Sequence, residues 1–223
     1  MASNLLYRGP ADLPDSIPVF PLAGALLLPR GHLPLNIFEP RYLAMVEDAL
    51  KGARLVGMIQ PDEAKPAAPA QPALYPVGCI GRITQFEETG DGRFMITLFG
   101  IARFRVQEEL TVTTPYRQCR VDYSEFAGDF APDAGDTGVD RDELLRTLAA
   151  YLEANKIRAD WTGIREASIE TLVNGLSMMS PYGTREKQAL LEASDLKARA
   201  ELLVAVTEIA LAEKGEDGEK SLQ

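Results

Sequence analysis

The feature that most constrains this chain is a change of hydrophobic period near its middle. Up to residue 123 the apolar residues come in short runs, many broken by proline or alternating with polar residues. Beyond residue 139 they recur at helical spacing. Strand-type patterning followed by helix-type patterning implies an α+β chain with the two kinds of element segregated. Residues 124–139 (SEFAGDFAPDAGDTGV) are acidic, glycine-rich and aperiodic, and mark the expected boundary. The sequence therefore predicts a β-rich subdomain over 1–123, a connection over 124–139, a helical subdomain over 140–213 and a charged tail over 214–223.

Charge follows the same division. Residues 1–122 carry 12 basic and 13 acidic side chains, whereas 123–223 carry 11 and 20. The net charge of −10 opposes a non-specific nucleic-acid or anionic-membrane binder, which needs cationic surface. The two cysteines, Cys79 and Cys119, form no CxxC pair, and His32 is the one histidine. A zinc site built from several such ligands is excluded. The start of the chain lacks a basic-then-apolar leader, and no run of 18 apolar residues occurs, so a reducing cytoplasm is the expected setting.

Within the first half, Ile17–Leu22 is apolar but holds Pro18 and Pro21, each without a ladder donor, which predicts an edge strand. Leu33–Phe38 reads as another short strand. Tyr42, Met45, Val46, Ala49 and Leu50 make one helical stripe, with Pro40 at the first position and Gly52 as the stop. Leu55–Ile59 reads as a buried strand, and 61–76 as a flexible Pro/Ala-rich surface loop. Asp91-Gly92 predicts a hairpin, and Gly100 a bulge or bend. In the second half, Asp140, Thr184 and Asp195 are candidate helix caps. The last helix, to about Glu213, is apolar on most sides and expects burial from several directions.

A search for chemistry finds little. GEDGEKS at 215–221 lacks the Gly-Lys and preceding strand of a phosphate loop. His32 follows Pro29-Arg30-Gly31 and reads as an exposed turn residue; Cys79 reads as a buried, inert thiol. Glu39 and Arg41 flank Pro40 and read as a pair fixing the helix start. Arg103 and Arg105 read as a solvated strand face. The segment from Leu26 to Phe38 crowds seven large apolar residues between prolines. An apolar groove beside an unpaired strand edge suits an extended peptide. Leu27, Leu28, Leu33, Leu35 and Phe38 are therefore the candidate polypeptide-binding residues.

These same residues carry a resemblance. Phe20-Pro21-Leu22, Leu28-Pro29 and Leu35 through Tyr42 strongly resemble the opening of the amino-terminal, substrate-binding domain of the Lon ATP-dependent proteases. The stand-alone bacterial Lon-domain proteins are the most similar group. Gly78-Cys79-Ile80-Gly81, Gly92-Arg93-Phe94 and Gly100 through Val106 extend the match, and Leu190 through Asp195 with Arg199 adds support. Glu39, Pro40, Arg41, Tyr42, Gly100 and Arg103 are the motif positions to which the resemblance gives a structural role. It implies a twisted PUA-like β-subdomain (a pseudo-barrel) with one inserted helix, followed by a helical bundle. It also implies a non-catalytic module for proteolysis, engaging unfolded or extended polypeptides and served by a separate ATPase or protease. The chain matches neither that family's phosphate loop nor its serine–lysine peptidase, so no catalytic residue, metal or cofactor carries over. Two alternatives come from other classes: an enzyme with an unfamiliar site around His32, and a weak RNA-binding PUA-like domain.

Overall fold

The computed structural model describes residues 7–65, 71–131, 138–155 and 160–220, with 213–220 described as backbone alone. Two compact units emerge. The first joins Met1–Pro132 to Pro181–Leu191; the second joins Asp133–Ser180 to Glu192–Gln223.

The β-rich unit holds β1 (Ser16–Pro21), β2 (His32–Ile37), α1 (Pro40–Lys51), β3 (Leu55–Ile59), β4 (Val77–Glu88), β5 (Phe94–Glu109) and β6 (Gln118–Asp122). The sheet order is β2-β5-β4-β3-β1-β6, and β5 also pairs with β6. Five strands thus close into a ring, with β2 attached outside it along β5. The ring's interior is filled by Ile17, Val19, Ile80, Ala102, Phe104, Cys119 and Val121, all buried. Burying side chains such as Ile17 and Phe104 completely contributes roughly 1.5–3 kcal/mol each.

Against expectation, β1 is not an edge strand. It runs parallel to β3 and antiparallel to β6. Its prolines fit because backbone donors alternate in direction along a strand. Val19 N–H donates to the Arg117 carbonyl on the β6 side, and Leu22 N–H to Ile59 on the β3 side. Pro21 shares the parity of Val19 but lies beyond the β6 pairing. Pro18 shares that of Leu22 but lies before the β3 pairing.

The inserted helix forms as the stripe predicts. Tyr42, Met45, Val46 and Ala49 are buried, and the Tyr42 ring packs 4.2 Å from that of Phe20. The Asp91-Gly92 turn joins β4 to β5 as expected. The two expected strands around Gly100 form one 16-residue strand, β5. Ile80 pairs with Ala102 and Gly81 with Gly100, so Ile101 is the extra residue of a bulge. The 61–76 loop is pinned by a bridge between Pro61 and Leu74, and its residues 66–70 lie outside the described set.

Two boundaries shift from those the sequence implies. Ser124–Phe130, expected as part of the connection, forms a 3-10 helix belonging to the β-rich unit, with Phe126 and Asp129 buried. Residues 132–137 of that stretch lie outside the described set. Helix α5 (Thr184–Glu192), expected in the helical subdomain, belongs to the β-rich unit as far as Leu191. It is held there by polar contacts: Lys187 Nζ donates to the Gly24 carbonyl at 2.8 Å, and Gln188 Nε2 to that of Val77 at 3.1 Å.

The helical unit contains α2 (Arg141–Ala154), α3 (Trp161–Glu166), α4 (Ile169–Met179) and α6 (Leu196–Lys220). Helix α3 had no counterpart in the sequence pattern. Asp140 and Asp195 cap α2 and α6 as predicted, accepting from Glu143 N–H at 2.9 Å and Ala198 N–H at 2.8 Å. Helix α6 continues past the expected end into the charged tail. Its burial is one-sided rather than all-round: Leu203 is buried, while Ile209 is 61% exposed.

Candidate functional site

The proposed peptide groove begins at Leu26, and there the structure corrects the sequence. Leu27, Leu28 and Leu35 are buried core residues and offer no surface to a partner. The cause is a glycine floor. A Cβ on Gly100 would lie 2.0 Å from the Leu28 carbonyl oxygen, and one on Gly81 would lie 2.7 Å from Leu27 Cδ2. Only glycine lets the leucine segment lie this close to β4 and β5. Leu33 is half-buried, and Phe38 is 60% exposed.

Phe38 follows directly on β2, the end strand of the sheet. Residues 32–37 pair in continuous register with 99–94 of β5. The Gly31 carbonyl accepts from Gly100 N–H at 2.9 Å, so odd-numbered residues of β2 direct their backbone groups at β5. The even-numbered ones face the open edge, and among the described residues no further strand pairs there. Pro34, lacking a donor, falls on this open side.

Side chains sort by the same register. His32, Pro34, Asn36 and Phe38 share a face with Phe99, Thr97, Met95 and Arg93. The Arg93 guanidinium stands 5.9 Å from the Phe38 ring centroid, and Met95 is 40% exposed. On the opposite face Phe86 and Phe94 meet edge-on at 5.0 Å, with Phe86 39% exposed. The projecting end of the β2–β5–β4 ribbon therefore carries apolar side chains on both faces beside an open strand edge. The sequence reading found Phe38 and missed Met95 and Phe86. Met95 has the parity opposite to Ile96 and Leu98, and that parity alone marks it as outward.

The motif residues divide by role. Pro40 opens α1, while Glu39 supplies no side-chain cap and instead pairs with Arg41 at 2.8 Å. Arg41 lies 4.5 Å over the Tyr42 ring. Arg103 is not on a solvated face. It is buried, and its Nε and Nη2 each reach an Asp129 carboxylate oxygen at 2.9 Å, while Nη1 donates to the Leu191 carbonyl at 3.1 Å. The 3-10 helix folds over this stretch of β5, and Phe126 covers the guanidinium at 4.6 Å. Arg105, two residues on, pairs with Glu125 near the surface.

His32 is exposed at the first position of β2 and packs against Phe99 at 5.1 Å, not in a pocket. Cys79 and Cys119 are buried, and burial pushes the Cys119 thiol up to about 11, far from a reactive thiolate. Among the described residues no group of three His, Cys, Asp or Glu is placed to hold a metal ion. Nor is any described helix long and apolar enough to cross a membrane.

Known proteins share this fold. Lon protease 2 of Myxococcus xanthus is 28% identical over 196 residues, covering 86% of this chain and 23% of that protein. Lon protease 2 of Sorangium cellulosum is 29% identical over 212 residues, covering 88% and 25%. The chain thus spans about a quarter of the length of these curated relatives. Among solved structures, the Lon N-terminal domain protein from Xanthomonas campestris superposes with a TM-score of 0.59 at 24% identity, covering 85% of this chain and 97% of that one. The N-terminal domain of Mycobacterium avium complex Lon protease gives 0.60 at 16% identity, covering 86% and 98%. Residues 16–207 match the substrate-binding domain of the ATP-dependent protease La (LON), and the chain belongs to that family.

Proposed function

We propose that this chain holds extended or unfolded segments of other polypeptides and breaks no covalent bond in them. The observation that carries this reading is Phe38, an aromatic ring 60% exposed beside an open strand edge. Met95 and Phe86 enlarge the apolar surface around it. Aromatic anchors supply affinity without demanding a fixed partner sequence. Membership of a substrate-binding family supports the same reading, and a separate ATPase or protease is the partner such a module would serve. The cytoplasm remains the expected compartment. Leu27, Leu28 and Leu35 take no part in the contact.

Fluorescence anisotropy with a reduced, carboxymethylated protein and its native form tests this. The unfolded form binds more tightly, and Phe38→Ser weakens that binding by about tenfold, as loss of an anchor does. Ile209→Ser, in the helical unit, leaves it unchanged. Equal binding of native and unfolded forms, or a silent Phe38→Ser, overturns the proposal.

A further inference from the structure

Strands β1 and β3 pair from Val19 and Gly57 onward, and not before. One residue explains the stop. Leu22 N–H donates to the Ile59 carbonyl at 3.0 Å, so the even-numbered residues of β1 point their donors at β3. Extending the ladder back to Ile17 and Leu55 would need an N–H from residue 18 to the Leu55 carbonyl. Residue 18 is proline, and the ladder ends.

A cleft of about 220 Å³ opens where the strands part, between Ser16–Pro18 and the turn leading from α1 into β3. Odd-numbered residues of β1 face β6: the Asp15 carbonyl accepts from Val121 N–H, and Val19 N–H donates to Arg117. Ser16 N–H therefore faces the cleft side, as does the Leu55 carbonyl, and the ladder supplies neither with a partner. The half-buried Pro18 adds apolar wall.

Arg54 lines the same cleft. It is exposed and, among the described residues, has no carboxylate partner. Its φ of 63° is a conformation side-chain-bearing residues rarely adopt. Two backbone bonds hold it so: Arg54 N–H to the Ala49 carbonyl at 2.9 Å, and Ile83 N–H to the Arg54 carbonyl at 2.8 Å. The nearby carboxylate, Asp48, is already engaged by Lys51 Nζ at 3.0 Å and the Tyr116 hydroxyl at 2.9 Å.

We propose that this cleft binds an N-acyl α-amino carboxylate, the chemistry of a polypeptide C-terminus. The carboxylate takes charge-assisted bonds from Arg54. The terminal amide N–H donates to the Leu55 carbonyl, and a small apolar side chain rests on the half-buried Pro18. The volume lies below the range of about 300–1,000 Å³ that holds drug-sized ligands, which suits one residue rather than a long segment. This site is separate from the Phe38 surface and stands or falls without it.

The test is amide-resolved NMR titration of the whole 15N-labelled chain with acetyl-Ala-Ala-Ala-Ala-Leu. One form carries a free carboxylate and the other a C-terminal amide, and N-acetyl-leucine is a third ligand. The acid shifts the amides of Ser16, Arg54 and Gln118 and binds about tenfold more tightly than the amide form, as a charge-assisted pair predicts. Arg54→Gly suits the backbone conformation, removes the guanidinium and abolishes that preference. Pro18→Val supplies the missing donor, extends the ladder and removes the cleft shifts. If N-acetyl-leucine matches the pentapeptide, the site stands and its ligand is a free N-acyl amino acid. Equal binding of acid and amide, an unchanged Arg54→Gly, or shifts confined to Phe38 and Met95 overturns the cleft assignment. The last of these leaves the polypeptide-holding reading intact, and failure of unfolded chains to bind leaves the cleft untouched.

Discussion

In the β-rich unit the contacts that fix position join residues far apart in the chain. Arg103 reaches Asp129, the Tyr123 hydroxyl donates to the Pro14 carbonyl at 2.9 Å, and Gln60 Nε2 donates to Gln188 Oε1 at 3.1 Å. In the helical unit the recurrent device is local. Asp140, Asp160, Ser168 and Asp195 each accept from a backbone N–H two or three residues on. Longer contacts there, such as Arg199 Nη1 to Asn174 Oδ1 at 3.1 Å, span 25 residues. Local devices write themselves into neighbouring residues. Distant ones depend on the whole fold being in place.

That contrast can be broken by experiment, because the single tryptophan, Trp161, reports on the helical unit alone. The largest effect is expected at Asp129. Asp129→Ala strands the buried Arg103 charge and destabilises the β-rich unit by about 3–5 kcal/mol. Urea unfolding followed by near-ultraviolet tyrosine signal shifts to lower denaturant, while the Trp161 transition stays in place. Movement of both together would mean that the two units unfold as one.

A middle-sized effect comes from alkali. Burial, reinforced by the Asp48 carboxylate, pushes the Tyr116 hydroxyl up to about 12, and burial also raises that of Tyr123. Both favour the neutral form in the folded state. Their contribution is complete below the ordinary tyrosine range near pH 10 and is lost as pH rises through the folded value. For Tyr116 this amounts to on the order of 2 kcal/mol. Alkaline unfolding of the β-rich unit therefore precedes that of the helical unit, and Tyr116→Phe raises its midpoint pH. A Tyr116→Phe midpoint equal to the parent's would contradict this.

The smallest effect sharpens the local side. Asp195→Ala removes the α6 cap and costs about 1 kcal/mol. It appears in the Trp161 transition, and the tyrosine signal, six of whose seven residues lie in the β-rich unit, moves little.

The same contrast explains what could be read from residues alone. Helix α1 was legible because Pro40, the stripe from Tyr42 to Ala49 and Gly52 sit within 13 positions. The Asp140 and Asp195 caps were legible for the same reason. The burial of Arg103 is not legible in its own strand, because its partner Asp129 is 26 residues away, in a stretch whose composition resembles a linker. Thr184 marks the start of helix α5 from local residues, but nothing in its sequence points to Gly24 or Val77, which hold it in the β-rich unit. Of the site, only Phe38 and the half-buried Leu33 kept any exposure. Leu27 and Leu28 have the composition of a groove, and only Gly81 and Gly100 on other strands reveal them as core. The two prolines predict an edge at β1, but each lies outside the ladder its donor would have joined: Pro18 ends the β3 ladder, Pro21 lies past the β6 ladder, and β1 still pairs on both sides.

Pro34 has a further consequence. A ledge of unsatisfied amides that meets sticky, extended chains is where amyloid-type stacking starts. A missing rung halfway along β2 limits any such zipper to short grips on either side of it. A visiting chain can rest there without becoming the first layer of a growing fibril.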